Sequence, residues 1–240
     1  MEPGIAKLVE RLHSSPVRCS IITTGAGGLA VSALLGVPGC SRTLIDAHIP
    51  YHLTVSRGIL DHYPRSLVSE KVGVELAQAA FHKGVKTIEG DGADASTVIG
   101  VGATAAIATD RARKGADVAY IACWARGEVT KYRVLLDKND ARSDQEAIVS
   151  RVLLAALADG ARVPHDDCLE LPAPTDDIPG TAADAANLSR NGSWFSRSVT
   201  PVAKDPFQSL LDGDVPTVVV NRNGCPRLRV PPFCEDDVAP

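Results

Sequence analysis

The segment Thr23-Thr24-Gly25-Ala26-Gly27-Gly28 falls where an apolar, strand-like run ends and a helix-like run begins. Glycines at such a junction let backbone N–H groups approach an anion, and the N-terminus of the following helix adds positive partial charge. The spacing is not GxGxxG, and no Gly-Lys-Ser/Thr follows, so neither the dinucleotide fingerprint nor the Walker loop is present. Thr24, Gly27 and Gly28 are therefore candidates for the phosphate or ribose side of a ligand. The plainer reading of the same residues is a tight turn with close helix–strand packing.

Further along, Val37-Pro38-Gly39-Cys40-Ser41 forms a turn carrying a hydroxyl and a thiol, and Tyr51-His52 follows ten residues later. Ser41 is a candidate nucleophile only with a positioned base, since a serine hydroxyl is weak until its proton is taken. Cys40 competes for that role, and its plain reading is a small buried hydrophobe. His48, His52 and His62 lack the HxH or HExxH spacing of metal ligands. Gly90-Asp91-Gly92-Ala93-Asp94 lacks the twelve-residue loop and closing glutamate of an EF-hand and reads as a turn. No metal site and no cofactor is expected.

The elements that must carry these residues alternate. Ile5, Leu8, Val9 and Leu12 have the spacing of an amphipathic helix over residues 3–14. A strand is expected over 17–24, a helix over 29–35 and a strand over 43–49. Ser69 is an N-cap for a helix stopped by Gly84. A buried strand begins at Thr97. Two apolar runs, 117–124 and 128–136, flank Ala125-Arg126-Gly127 as a hairpin. Ser143-Asp144-Gln145-Glu146 reads as a capping box before a last helix stopped by Gly160. This order predicts an α/β fold, with helices on both faces of a mixed, mostly parallel sheet. The domain is expected over 1–162. Residues 163–206, rich in proline and polar residues from 172 on, read as a linker or surface-draped segment. Residues 207–240 read as an irregular C-terminal extension, with a helical turn near 207–211 and a small hairpin closed by Asn-Gly.

A chain of 240 residues, 45% hydrophobic and 22% charged with a net charge of −4, has the composition of a globular protein. That charge gives no reason to expect nucleic acid, and no run approaches the roughly 20 apolar residues that span a bilayer. The N-terminus lacks a basic, then apolar, secretory leader. Six scattered cysteines without a CxxC pair read as reduced thiols, so a cytoplasmic location is expected.

Several of these segments together resemble the CinA family. Thr24-Gly25-Ala26-Gly27-Gly28-Leu29-Ala30 is similar to its ESCTGG strand–loop–helix, and Val37-Pro38-Gly39-Cys40-Ser41 to its Pro-Gly-Ser-Ser turn. Tyr51 stands where the family has Tyr-Ser-Asn, and Val68-Ser69-Glu70-Lys71-Val72 resembles its VSEEV helix start. Gly100-Val101-Gly102 falls on its Gly-Ile-Ala-Gly loop. The resemblance covers about residues 5–158. It implies a three-layer α/β/α sandwich, usually self-associating. It also implies a metal-independent hydrolase class that deamidates nicotinamide mononucleotide, releasing ammonia and nicotinic acid mononucleotide.

In that family a serine of the Pro-Gly-Ser-Ser turn is the proposed nucleophile, with a lysine as base and a tyrosine assisting. Ser41 and Tyr51 match two of the three, and the lysine falls on Ser56. His52 is the nearby titratable substitute. Gly102 and Arg142, the latter matching the arginine of a Gly-Asp-Arg segment, complete the implied ligand set. General-base assistance is typically worth about 10²–10⁴-fold, so Ser41 without a lysine is expected to be nearly idle. Three readings follow: a degenerate amidase site retained for binding a nucleotide such as nicotinamide mononucleotide, a working amidohydrolase with a rewired base, or an assembly module with a vestigial pocket. Leu44-Ile45-Asp46-Ala47-His48-Ile49-Pro50-Tyr51 and residues 102–110 further resemble eukaryotic CinA-like domains. Some of those precede a nucleotidyltransferase domain; none of its catalytic residues is expected within these 240.

Overall fold

The computed structural model describes residues 1–60, 62–92, 94–111, 113–125, 127–175 and 192–201, and the backbone of 218–220 and 226–228. Helix α1 (Pro3–Ser14) starts on a proline, whose missing N–H costs nothing in a first turn. Its apolar stripe, Leu8, Val9 and Leu12, is fully buried. Strand β1 (Arg18–Thr24) leads into α2 (Gly28–Gly36), then a short 3-10 turn (Cys40–Arg42) and strand β2 (Leu44–His48). Helices α3 (Leu53–Leu60) and α4 (Glu70–Gly90) precede β3 (Val98–Ala106), the hairpin β4 (Asp117–Ala125) and β5 (Glu128–Leu136), and α5 (Arg142–Ala161). Short β6 (Ala173–Pro174) and β7 (Trp194–Pro201) complete a seven-stranded sheet in the order β2-β1-β3-β4-β5-β7-β6.

The sheet is mixed, as the alternation of elements predicts. β2, β1 and β3 run parallel, while β4 is antiparallel to both β3 and β5. Successive residues of β3 face opposite layers. Ile99, Val101, Ala103 and Ala105 join the main core with α1, α2 and α5. Gly100 and Gly102 face α4 instead. A Cβ on Gly102 would fall on the backbone of Ala77 and Gly73, so its absence lets α4 lie directly on the strand.

Several expectations shift for physical reasons. Ser69 does cap α4, its hydroxyl accepting the Val72 N–H at 3.3 Å. Gly84 does not end the helix; it lies inside α4, where a Cβ would come within 2.9 Å of Val98 Cγ1. Gly160 likewise lies inside α5, against the Cys123 thiol, and Arg162 ends that helix in the left-handed conformation. The expected capping box at Ser143 does not form: the N-cap of α5 is Ala141, two residues earlier, and it makes no side-chain cap. Residues 194–201, expected as part of a linker or draped segment, form strand β7. The period-2 signal of that strand is weak because most of its side chains are exposed.

The contacts of the chain divide between Thr200 and Pro201. In the second unit, β8 (Val218–Val220) and β9 (Pro226–Leu228) pair antiparallel, with Val218 opposite Leu228. The Asn-Gly turn between them, the helical turn near 207–211, Cys225 and Cys234 lie outside the described residues. The four described cysteines, Cys19, Cys40, Cys123 and Cys168, are free thiols. Among the described residues no helix is long and apolar enough to cross a membrane.

Candidate functional site

β1 lies between β2 and β3, so the chain leaves β1 toward one side and later returns on the other. The crevice outside the carboxyl ends of β1 and β3 is therefore a topological switch point, the usual ligand position in open α/β sheets. The glycine segment sits there. Gly25 (φ +89°) and Gly27 (φ +102°) adopt conformations L side chains rarely take, and together they turn the chain from β1 into α2 within a few residues. Thr23 donates to the Ala26 carbonyl and braces the turn from inside.

The N–H groups this turn presents already have a partner. Both carboxylate oxygens of Glu146 accept from Gly27 N–H at 3.0 Å, and Oε1 also accepts from Leu29 N–H at 3.1 Å. Ser150 Oγ donates to the same oxygen at 3.3 Å. Gly28 lies alongside, where a Cβ would stand 3.5 Å from Glu146 Oε1. The positive end of α2 is thus neutralised by a carboxylate from the first turns of α5 rather than left open to solvent.

One turn earlier on α5, Arg142 reaches into the same crevice. Its Nη1 donates to the Ala108 carbonyl at 2.7 Å, while Nη2 lies 3.5 Å from the Gly25 carbonyl and 3.4 Å from Tyr51 Oη. Tyr51 is 70% exposed, so its ring stands at the mouth. The Thr24 hydroxyl is already engaged: it donates to the Pro50 carbonyl at 2.9 Å, joining the ends of β1 and β2. His52, exposed at the start of α3, accepts the Thr54 N–H on Nδ1 at 3.3 Å.

The expected catalytic set does not assemble within one chain. Ser41 belongs to the 3-10 turn before β2, whereas Tyr51 and His52 follow β2. At about 3.3 Å per residue, this five-residue strand separates the two ends by roughly 16 Å. A nucleophile and its base must come within about 3 Å, so His52 cannot serve Ser41 here. Ser41 instead lines a cleft of about 150 Å³ with Arg18, Arg42, Thr43 and Asp91, and among the described residues no lysine or histidine lines it. Cys40 offers no better nucleophile, because burial raises its thiol above the ordinary value. Ser56, where the resemblance leads one to expect a lysine, is buried and donates to the Pro50 carbonyl at 2.7 Å. Gly102 lies within β3 as the packing glycine under α4, away from the glycine turn. The structure therefore brings Tyr51, Arg142 and the glycine turn together and leaves Ser41 and Gly102 elsewhere.

Two residues that sequence reasoning assigned only to a cap prove central. Besides Glu146, the buried Gln145 uses its whole amide: Oε1 accepts from Ala108 N–H at 2.7 Å, and Nε2 donates to Asp117 Oδ2 at 3.0 Å and the Asp137 carbonyl at 2.8 Å. Gln145→Leu leaves those buried groups unpaired, an expected loss of about 2–3 kcal/mol. Urea unfolding checks this as a lowered midpoint with an unchanged slope. His62 pairs with Glu75, and His48 with Asp46 and Lys83. Among the described residues no group of three or more His, Cys, Asp and Glu side chains could hold a metal ion.

No family model matches this chain, and no curated protein does either. Solved structures of CinA-superfamily proteins are similar to it. A CinA superfamily protein from Escherichia coli is 22% identical, over 65% of this chain and 87% of that one, with a TM-score of 0.47. The competence/damage inducible protein CihA from Agrobacterium tumefaciens is 18% identical, over 68% and 94%, with a TM-score of 0.46. A competence or damage-inducible protein from Enterobacter asburiae is 18% identical, over 66% and 96%, with a TM-score of 0.48.

Proposed function

We propose that this chain is a CinA-like domain that has lost amidase chemistry and serves as a binding or regulatory module for a phosphate-bearing small molecule of the nicotinamide mononucleotide class. The observation that carries the binding half of this reading is Arg142, held beside Tyr51 and the Gly25 carbonyl at the switch point. One edge of the guanidinium is anchored on Ala108, and the edge toward Tyr51 has only long contacts, which a phosphate oxygen would better. The aromatic ring beside it offers a face to a base. The loss of chemistry follows from Ser56, a backbone-bonded hydroxyl where a base would be needed, and from the remoteness of Ser41.

Titration calorimetry of the full chain with nicotinamide mononucleotide tests this. Arg142→Gln removes a charge-assisted contact worth about 1.5–3 kcal/mol, so binding is expected to weaken about 10–100-fold. Nicotinamide riboside, which lacks the phosphate, is expected to bind both proteins equally weakly. Binding of the mononucleotide that ignores Arg142→Gln would refute the seat, and absence of binding by the unaltered protein would leave the site vestigial.

A further inference from the structure

A second cluster of titratable groups lies well away from the glycine turn, where the chain leaves its last helix. Arg162 (φ 57°) reverses the direction after α5, and the following segment packs Val163, Cys168, Leu169 and Leu171 against the core. Two polar fastenings hold it. Asp167 binds Lys7 Nζ at 2.8 Å and Arg11 Nη1 at 2.7 Å, and Arg11 also donates to the Pro164 carbonyl. Those bonds, Arg11 first, hold the Asp167 carboxyl far below the usual range, so this fastening stays charged at any ordinary pH.

The other fastening centres on Asp159, in the last turn of α5. His165 Nε2 meets its Oδ1 at 3.1 Å. Its Oδ2 accepts from Arg197 Nε of β7 at 2.8 Å and from the Tyr132 hydroxyl of β5. Four elements thus meet on one carboxylate, and the His165 side chain is only 12% exposed. The charged groups facing His165 are Asp159, its neighbour Asp166 and Arg197. Cys123 of β4 stands behind Asp159, its thiol pushed up to about 12 by burial and therefore neutral.

We propose that Asp159, His165, Arg197 and Tyr132 form a pH-sensitive clasp, closed in weakly acidic medium and loosened when His165 loses the proton on its buried Nδ1, unpartnered among the described residues, and meets Asp159 as a neutral ring. The hydrogen bond to Asp159 raises the His165 pKa above 6.5, against an opposing effect of burial. A group whose folded pKa is raised contributes fully below its ordinary value, and that contribution fades as pH climbs through the raised one. At Asp159, burial pulls upward, but the bonds from His165 and Tyr132 and the charge of Arg197 outweigh it, leaving the carboxyl below 3.8. Its contribution is present above that value and fades only in stronger acid. The clasp is therefore tightest between about pH 4 and 6.5 and slackens on the alkaline side. The invariant Asp167 fastening makes the 163–168 segment a strap hinged at one end and released at the other.

Hydrogen–deuterium exchange on the full chain, corrected for intrinsic rates, reads this directly. The Cys168 and Leu169 amides both donate to the His165 carbonyl and report on the strap. Their protection, and that of residues 194–200, is expected to fall several-fold between about pH 6 and pH 8.5, while β1 and β3 stay unchanged. His165→Gln keeps a donor toward Asp159 but cannot titrate, and is expected to make strap protection level across that range. Equal protection of the unaltered strap at both pH values would overturn the proposal. So would a pH-dependent fall that persists in His165→Gln.

Discussion

Gly102→Val is expected to cost the domain about 3 kcal/mol or more, because overpacking against backbone has nowhere to relax. The added Cβ would land on Ala77 N and Gly73 O, atoms that cannot rotate aside as a side chain would. α4 would have to lift, drawing the buried Val72, Leu76 and Ala80 from the sheet. In a domain of this size each kcal/mol moves the melting temperature by about 2–4 °C, so a thermal melt should fall by about 10 °C. Gly102→Ala should show most of the effect, since the first carbon makes the clash. A glycine retained to contact a ligand would behave otherwise, leaving the melt in place and weakening binding. A melt within about 2 °C of the unaltered protein would mean that α4 does not rest on β3 as described.

Glu146→Ala is expected to raise the affinity for inorganic phosphate at least tenfold while lowering stability by about 1–2 kcal/mol. The N–H groups of Gly27 and Leu29 point at one carboxylate, and the α2 terminus reinforces its charge. An incoming anion must displace that carboxylate and withstand its repulsion. With alanine the donors fall to water, and Leu29 is exposed enough to admit it. Phosphate should then take the vacated seat and restore the melt; at ten times its dissociation constant a ligand returns about 1.4 kcal/mol. Glu146→Gln keeps an acceptor without charge and should fall between the two. Calorimetry with phosphate at constant ionic strength decides the matter. Equal affinity in Glu146→Ala and the unaltered protein would show that the glycine turn is not closed by this residue.

Much of the scaffold is legible because its signals are local. The stripe Leu8, Val9, Leu12 gives α1, Ser69 gives the start of α4, and Gly127 at φ +79° closes the β4–β5 hairpin. What misleads is any residue whose role is set by a distant partner. Gly84 and Gly160 carry the composition of helix stops, yet each is needed where a strand presses against the helix. Glu146 fits a capping box by spacing, but donors 119 residues away in the chain claim its carboxylate. Ser41 and Tyr51 are ten residues apart in a familiar motif, yet an extended strand places them at opposite ends of the sheet. The glycine turn was legible in its own composition, whereas Tyr51 and Arg142 entered only through the resemblance to the CinA family; nothing conveyed Gln145 as the crosslink behind them, because a buried amide has no pattern of its own.

The central claim, a CinA-like site that holds a ligand without transforming it, is tested most directly by ammonia release from nicotinamide mononucleotide with the purified full chain. Release is expected to be no faster than in a protein-free blank, in the same preparation that binds the mononucleotide through Arg142. Sustained release that Ser41→Ala abolishes would contradict it, and would mean that Ser41 finds a base the single chain does not supply.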